Sequence, residues 1–141
     1  ARARPDRIAG LVGIAPAPDF VLAMWDDFPD EIKATLKRDG VYYAPSEYAE
    51  EPYPITMQLI EEGRQHLVLQ DTLKVDFPVR ILHGMADPDV PWQRSLEIVE
   101  RLQGDDIVVT FSKSGDHRLS EPDDIARLVH TVETLAGNGV Q

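Results

Sequence analysis

The sequence predicts an α/β protein of about three parallel strands with flanking helices and a helical insert. Three observations carry that reading. Apolar runs of strand length end at residues 15, 84 and 112, each close to glycine, proline or a polar turn. Helical patterns follow the second and third runs, and strands alternating with helices build parallel sheets. Between the first and second runs, residues 20–70 carry mostly helical patterning instead.

The first strand is expected at residues 8–15, within "RIAGLVGIAPAPDF", where a short apolar run stops at a proline-rich turn. Those flanks favour a strand buried on both faces. Phe20, Met24, Phe28, Ile32 and Leu36 then recur at intervals of four, which is one helical face. Pro29 interrupts the row, so two short helices are expected. The second, "PDEIKATLKRDG", has proline at its first turn, acids after it, basic residues near its end and Gly40 as its stop. Residues 41–54, rich in Tyr, Pro, Ser and Glu, read as a loop. "ITMQLIEEGRQHLVL" reads as a helix with Ile55, Leu59 and Ile60 on one side, although Gly63 weakens it.

The second strand is "FPVRILHG", from Pro78 to Gly84. A helix follows in "PWQRSLEIVERLQG", with Ser95, Ile98, Val99 and Leu102 inward and Gly104 as its stop. "DDIVVTFS" is the third strand. The last helix lies in "SEPDDIARLVHTVETLAG": Ser120 and Asp123 have the spacing of a capping box, and Ile125, Leu128, Val129, Val132 and Leu135 form the expected buried stripe. The tail "AGNGVQ" reads as a frayed end.

Composition narrows the function. The 141 residues are the size of one domain, and 43% hydrophobic content suffices for one core. Asp and Glu total 25 against 14 Lys and Arg, a formal charge of -11 that opposes binding to nucleic acid and to anionic membrane surfaces. There is no cysteine, which excludes disulfides, thiolate zinc sites and a cysteine nucleophile. No apolar run approaches the roughly 18 residues that span a bilayer, and the amino terminus lacks the regions of a signal peptide.

In open parallel sheets, sites form beyond the carboxyl ends of the strands. That rule selects "GMAD" after the second strand and "SKSGDHRLS" after the third. Asp87 and His117 can converge there, one helix and one strand apart. An aspartate facing histidine Nδ1 fixes the tautomer and stabilises the imidazolium that forms when Nε2 takes a proton from a nucleophile. Histidine suits that task because its unperturbed pKa is about 6.5.

"LHGMADPDVP" followed by "GDHRLS" resembles the acid and base motifs near the carboxyl end of the α/β-hydrolase superfamily, in which HGxxDxxVP follows the seventh strand and a GDH or GxH loop the eighth. The resemblance covers nearly the whole chain. It implies the carboxyl-terminal part of that fold, with Asp87 as acid, His117 as general base and residues 20–70 as a cap over the site. "VGIAPAPDF", "PITMQLIEEGRQHLVL" and "LHGMADPDVPWQRSL" are most similar to the branch that contains palmitoyl-protein thioesterase and related carboxylesterases. The family's nucleophile elbow, GxSxG, is absent: Ser46, Ser95, Ser112, Ser114 and Ser120 all lack that setting. Since the family runs serine, acid, histidine along the chain, its serine and oxyanion-hole amides are expected upstream of residue 1.

Other readings of these residues stand beside this one. Asp87 can simply complete a turn before the Pro91 helix, and Asp89 is a turn or cap residue and the second choice as acid. His117 can be a solvated loop histidine, and His83 reads as packed and hydrogen-bonded. His66 and His130 fall on predicted helices. Asp87, Asp89, Asp116 and His117 could together hold a divalent ion, but they lack the spacing of a dedicated motif; neither a metal nor a cofactor is expected. The expected function is ester or thioester hydrolysis by the complete protein. The alternative is a truncated, non-catalytic module that binds a partner or associates with itself. In both, strand 8–15 has an outer edge expected to pair with the hydrolase's other half or with a second copy.

Overall fold

The computed structural model describes residues 3–45 and 50–138, so Ser46 and the last three residues of the tail lie outside it. The chain separates into two compact units. One comprises Ala1–Ala17 with Leu69–Gln141, the other Pro18–Val68.

The first unit is built on a three-stranded parallel sheet in the order β1 (Leu11–Ile14), β5 (Val79–Gly84), β7 (Ile107–Ser112). Between β5 and β7 runs helix α4 (Gln93–Arg101), and after β7 comes helix α5 (Pro122–Asn138). Register places Gly13 beside Ile81 and Ile81 beside Val109. On this face Phe77, Val79, Ile81 and Ile98 form the buried core, with Val99, Ile107 and Val109 packed against it. At full burial each such side chain contributes about 1.5–3 kcal/mol. Arg80 on β5 is tied to Asp106 at 2.7 Å.

The strands in this sheet match the expected ones, but the burial of β1 does not. Leu11 is 37% and Ile14 41% exposed, against an expectation of cover on both faces. β1 pairs with β5 alone, so its other edge has no strand beside it among the described residues. The α5 stripe also needs correction. Asp124 is buried and Leu128 and Leu135 are half-buried, while Ile125, Val129 and Val132 are nearly half exposed. Rotation of the helix puts one apolar row on the protein and leaves the other in solvent. α5 begins at Pro122, two residues after Ser120.

Helix α4 ends at Arg101, before Gly104. Leu102–Gln103 instead form a short strand, β6, parallel to β4 (Leu73–Lys74). A Cβ at Gly104 would stand 2.7 Å from the Val75 carbonyl oxygen, so this glycine serves that close approach rather than helix termination.

The second unit holds α1 (Phe20–Asp27), α2 (Asp30–Asp39), β2 (Val41–Ala44), β3 (Tyr53–Thr56) and α3 (Met57–Gln65). Two short helices separated at Pro29 were expected and occur. Asp30 and Glu31 open α2, Lys37 and Arg38 close it, and Gly40 stops it at φ +77°. Leu36 is fully buried, whereas the start of the predicted row is not: Phe20 is exposed and Val21 takes the buried position on α1. The expected loop at 41–54 is in part an antiparallel hairpin, in which Val41 pairs with Thr56 and Ala44 with Tyr53. Tyr and Val supply strand propensity there. Thr56 caps α3 through its hydroxyl, which accepts from the Leu59 amide at 3.1 Å. Gly63 is tolerated inside α3 because a Cβ would meet Val21 at 2.6 Å; the two helices approach too closely for a side chain.

Candidate active site

β5 and β7 run parallel and end side by side, with Gly84 opposite Ser112. Their two following loops are bound to each other by backbone. The Met85 amide donates to Ser112 O at 2.8 Å, and the Ala86 amide to Gly115 O at 3.0 Å. Gly84 is indispensable to that seam. A Cβ on it would lie 2.1 Å from the Gly115 oxygen and 2.5 Å from the Asp116 oxygen. Close approach, and not an unusual backbone angle, is therefore what demands glycine here.

Each loop is folded by an aspartate of its own. Asp87 Oδ1 accepts from the Asp89 and Val90 amides at 2.8 and 2.9 Å. Asp116 Oδ1 accepts from the Arg118 and Leu119 amides at 3.1 and 2.9 Å. Such short-range bonds are the local alternative to regular structure that aspartate offers. They also hold Leu119, at φ 45°, in a left-handed conformation.

The two loops bring Asp87 and His117 together across 30 positions of sequence. His117 Nδ1 lies 2.9 Å from Asp87 Oδ2, and no acceptor other than this carboxylate is recorded for it. Nδ1 therefore carries the proton, which leaves the Nε2 lone pair available. Nε2 has no hydrogen-bond partner among the described residues, and the His117 side chain is 36% exposed while that of Asp87 is fully buried. The carboxylate is thus enclosed and the imidazole reaches solvent.

Burial pushes the Asp87 pKa up, but the Val90 amide, the His117 ring and the Asp89 amide together outweigh it and hold it below the ordinary value of 3.8. A folded pKa below the unfolded one means that the carboxylate stabilises the fold fully above about pH 4 and that this contribution is lost as pH falls through the lowered value. The stability advantage of the native protein over Asp87→Asn should therefore shrink as urea unfolding is measured from pH 6 down to pH 3. An advantage that is constant over this range would contradict the assigned hydrogen bonds.

Asp89 is exposed, and ligating atoms of Asp87, Asp89 and His117 lie within 4.8 Å of one another. Asp116 does not join them. Coordination through Asp87 Oδ2 or His117 Nδ1 would have to break the 2.9 Å bond between them, so the cluster is organised for hydrogen bonding. His83 is fully buried, with Nδ1 2.6 Å from Ser95 Oγ and Nε2 3.0 Å from Val90 O. It is packed and hydrogen-bonded, as its place in an apolar run suggests. The role of Ser95 had no such signal, since it reads only as a small residue on the inner face of a helix.

No family model matches the chain. Over 134 residues it is 38% identical to "Palmitoyl-protein thioesterase ABHD10, mitochondrial" of Pongo abelii and 37% identical to that of Homo sapiens, covering 94% of this chain. The chain spans only 44% of the length of these relatives. Among solved structures, a protein from Agrobacterium vitis S4 assigned to the hydrolases superposes with TM-score 0.88 at 42% identity, over 92% of this chain and 50% of that one. Mouse alpha/beta hydrolase domain-containing protein 10 superposes with TM-score 0.86 at 37% identity, over 98% of this chain and 56% of that one. These similarities run through both compact units and the parallel sheet. The chain belongs to the α/β-hydrolase superfamily and corresponds to the carboxyl-terminal portion of that fold.

Proposed function

We propose that this chain supplies the acid, Asp87, and the general base, His117, of a Ser-Asp-His triad in an ester or thioester hydrolase. The serine and the oxyanion-hole amides are carried outside these 141 residues. The observation that supports this most directly is the 2.9 Å contact between Asp87 Oδ2 and His117 Nδ1 at the carboxyl ends of two parallel strands. The thioesterase name of the relatives supports fatty-acyl thioesters as the substrate class. The 18–68 unit is read as the cap insert, and the open edge of β1 as the seat of the next strand of the hydrolase sheet.

In this mechanism His117 Nε2 takes the serine proton as Oγ bonds to the acyl carbon, while Asp87 stabilises the imidazolium. The tetrahedral intermediate collapses with cleavage of the C–S or C–O bond, and the leaving thiolate or alkoxide receives the proton from Nε2. His117 then deprotonates water, which attacks the acyl-serine. The carboxylic acid departs and the proton returns to serine.

A fluorophosphonate probe tests this. It is expected to label one upstream serine in the complete hydrolase and to leave the isolated 141-residue chain unlabelled. Stoichiometric labelling of the isolated chain would rule out an external nucleophile. A second reading, favoured by the exposed Leu11 and Ile14 on β1, is a non-catalytic module that associates through that strand edge. An in-frame GxSxG in the coding sequence before Ala1 decides for the hydrolase.

A further inference from the structure

His83 is the one fully buried histidine, and the acid–base reading gives it no task. Its surroundings determine its state. Two oxygens face Nε2: Val90 O at 3.0 Å and Asp87 Oδ2 at 3.3 Å. A bare nitrogen lone pair against two oxygens in a buried site would be repulsive, so Nε2 carries the hydrogen. Nδ1 of the neutral ring is then an acceptor, and the Ser95 hydroxyl, also fully buried, donates to it at 2.6 Å. Ser95 belongs to α4, His83 to β5, and Val90 and Asp87 to the loop between them.

The contact with Asp87 falls on a particular atom. Oδ1 is occupied by the two loop amides, whereas Oδ2 is the oxygen that meets His117. The His83 N–H is directed at Val90 O, and this hydrogen bond pins the far end of the Asp87 turn; the ring nitrogen also stands 3.3 Å from this same Asp87 oxygen, so the positive end of its N–H dipole lies beside it. No other titratable group is recorded against Oδ2; Asp89 is the remaining charged neighbour in the cluster.

We propose that His83, fixed as the Nε2–H tautomer by Ser95, is a positioning residue for the reaction: it clamps the acid loop through Val90 O and sets a partly positive ring N–H beside Asp87 Oδ2, the oxygen that meets His117. The inference rests on the roles proposed above for Asp87 and His117. Loss of the ring has two effects. The acid loop is freed at Val90, and Oδ2 loses a stabilising dipole, so more of its charge is directed at the His117 imidazolium.

The test uses the complete hydrolase that carries this segment, assayed with an acyl thioester across pH 5 to 9. His83→Leu is expected to lower kcat about tenfold with KM nearly unchanged, and to move the acid limb of the kcat/KM profile to higher pH. His83→Gln, whose amide N–H can stand near the place of Nε2, should recover most of kcat and return the limb towards its native position. A folded His83→Leu enzyme with native kcat and an unmoved limb overturns the proposal. A variant that fails to fold leaves a direct measurement on the native enzyme: ¹⁵N resonances of the His83 ring are expected to show a protonated Nε2 and a bare Nδ1, and the opposite neutral tautomer overturns it. Asp87→Ala and His117→Ala run in the same series separate the two levels. Activity in those variants defeats the acid–base assignment itself, while their collapse beside an unaffected His83→Leu defeats only the role of His83.

Discussion

In the complete hydrolase proposed above, Asp87→Asn is expected to lower kcat/KM by about 10⁴-fold with little change in KM, a barrier increase of about 5.5 kcal/mol. Asparagine keeps a carbonyl oxygen for the Asp89 and Val90 amides, so the loop retains its fold. Its amide, however, turns a donor towards His117 Nδ1. The imidazole must answer as an acceptor there, which moves its proton to Nε2, the nitrogen that receives the serine proton in the proposed mechanism. His117→Ala should cost at least as much, and the double variant little more than either alone, because the two side chains act as one unit. Steady-state kinetics on folded variants, with folding checked by thermal melts, decides the matter. Asp87→Asn within tenfold of the native rate would mean that the acid lies elsewhere, and Asp89, two residues on, would be the next to replace.

Much of this site is legible in the sequence because its two loops carry local signals. An apolar run ending in glycine and then aspartate marks the end of β5, and a small polar loop around His117 marks the end of β7. Parallel topology brings such loops together without further information. What the sequence hides depends on contacts distant in the chain. Gly84 reads as a residue that frees the backbone, yet its role is set by a carbonyl 31 positions away. Ser95 reads as part of a helical face, and only the packing of α4 on β5 reveals it as the partner of His83. The exposed row on α5 and the uncovered side of β1 fail for a different reason. Their apolar periodicity is genuine, but periodicity reports that a face is apolar and is silent on what lies against it. The pairing of Val41–Ala44 with Tyr53–Thr56 is missed because the Pro, Ser and Glu content of this stretch masks two short strands whose stability comes from pairing rather than composition.

Gly84→Val is expected to have the largest effect on folding and to disable the site at the same time. The atoms within 2.1 to 2.5 Å of an added Cβ are all backbone: the Gly115 oxygen and carbon and the Asp116 oxygen. Backbone cannot rotate away as a side chain can, so the histidine loop must move by about 1 Å or more to restore ordinary contact. That movement breaks the Ala86 to Gly115 hydrogen bond and draws His117 from Asp87. A cost on the order of 3 kcal/mol or more in unfolding free energy follows, with a loss of about 10²-fold in kcat for each ångström of misplacement even in the fraction that folds. Two other glycines provide the contrast. Gly40→Ala meets nothing within 4 Å but sits at φ +77°, so it should cost about 1 kcal/mol without touching the chemistry. Gly137→Ala, in open space on α5, should be neutral or stabilising by up to about 1 kcal/mol. Urea unfolding of the three variants separates these causes. If Gly84→Val unfolds at the midpoint of Gly137→Ala and hydrolyses substrate at the native rate, the two loops are not joined by the backbone seam, and the 2.9 Å contact between Asp87 and His117 loses the structural basis that explains it.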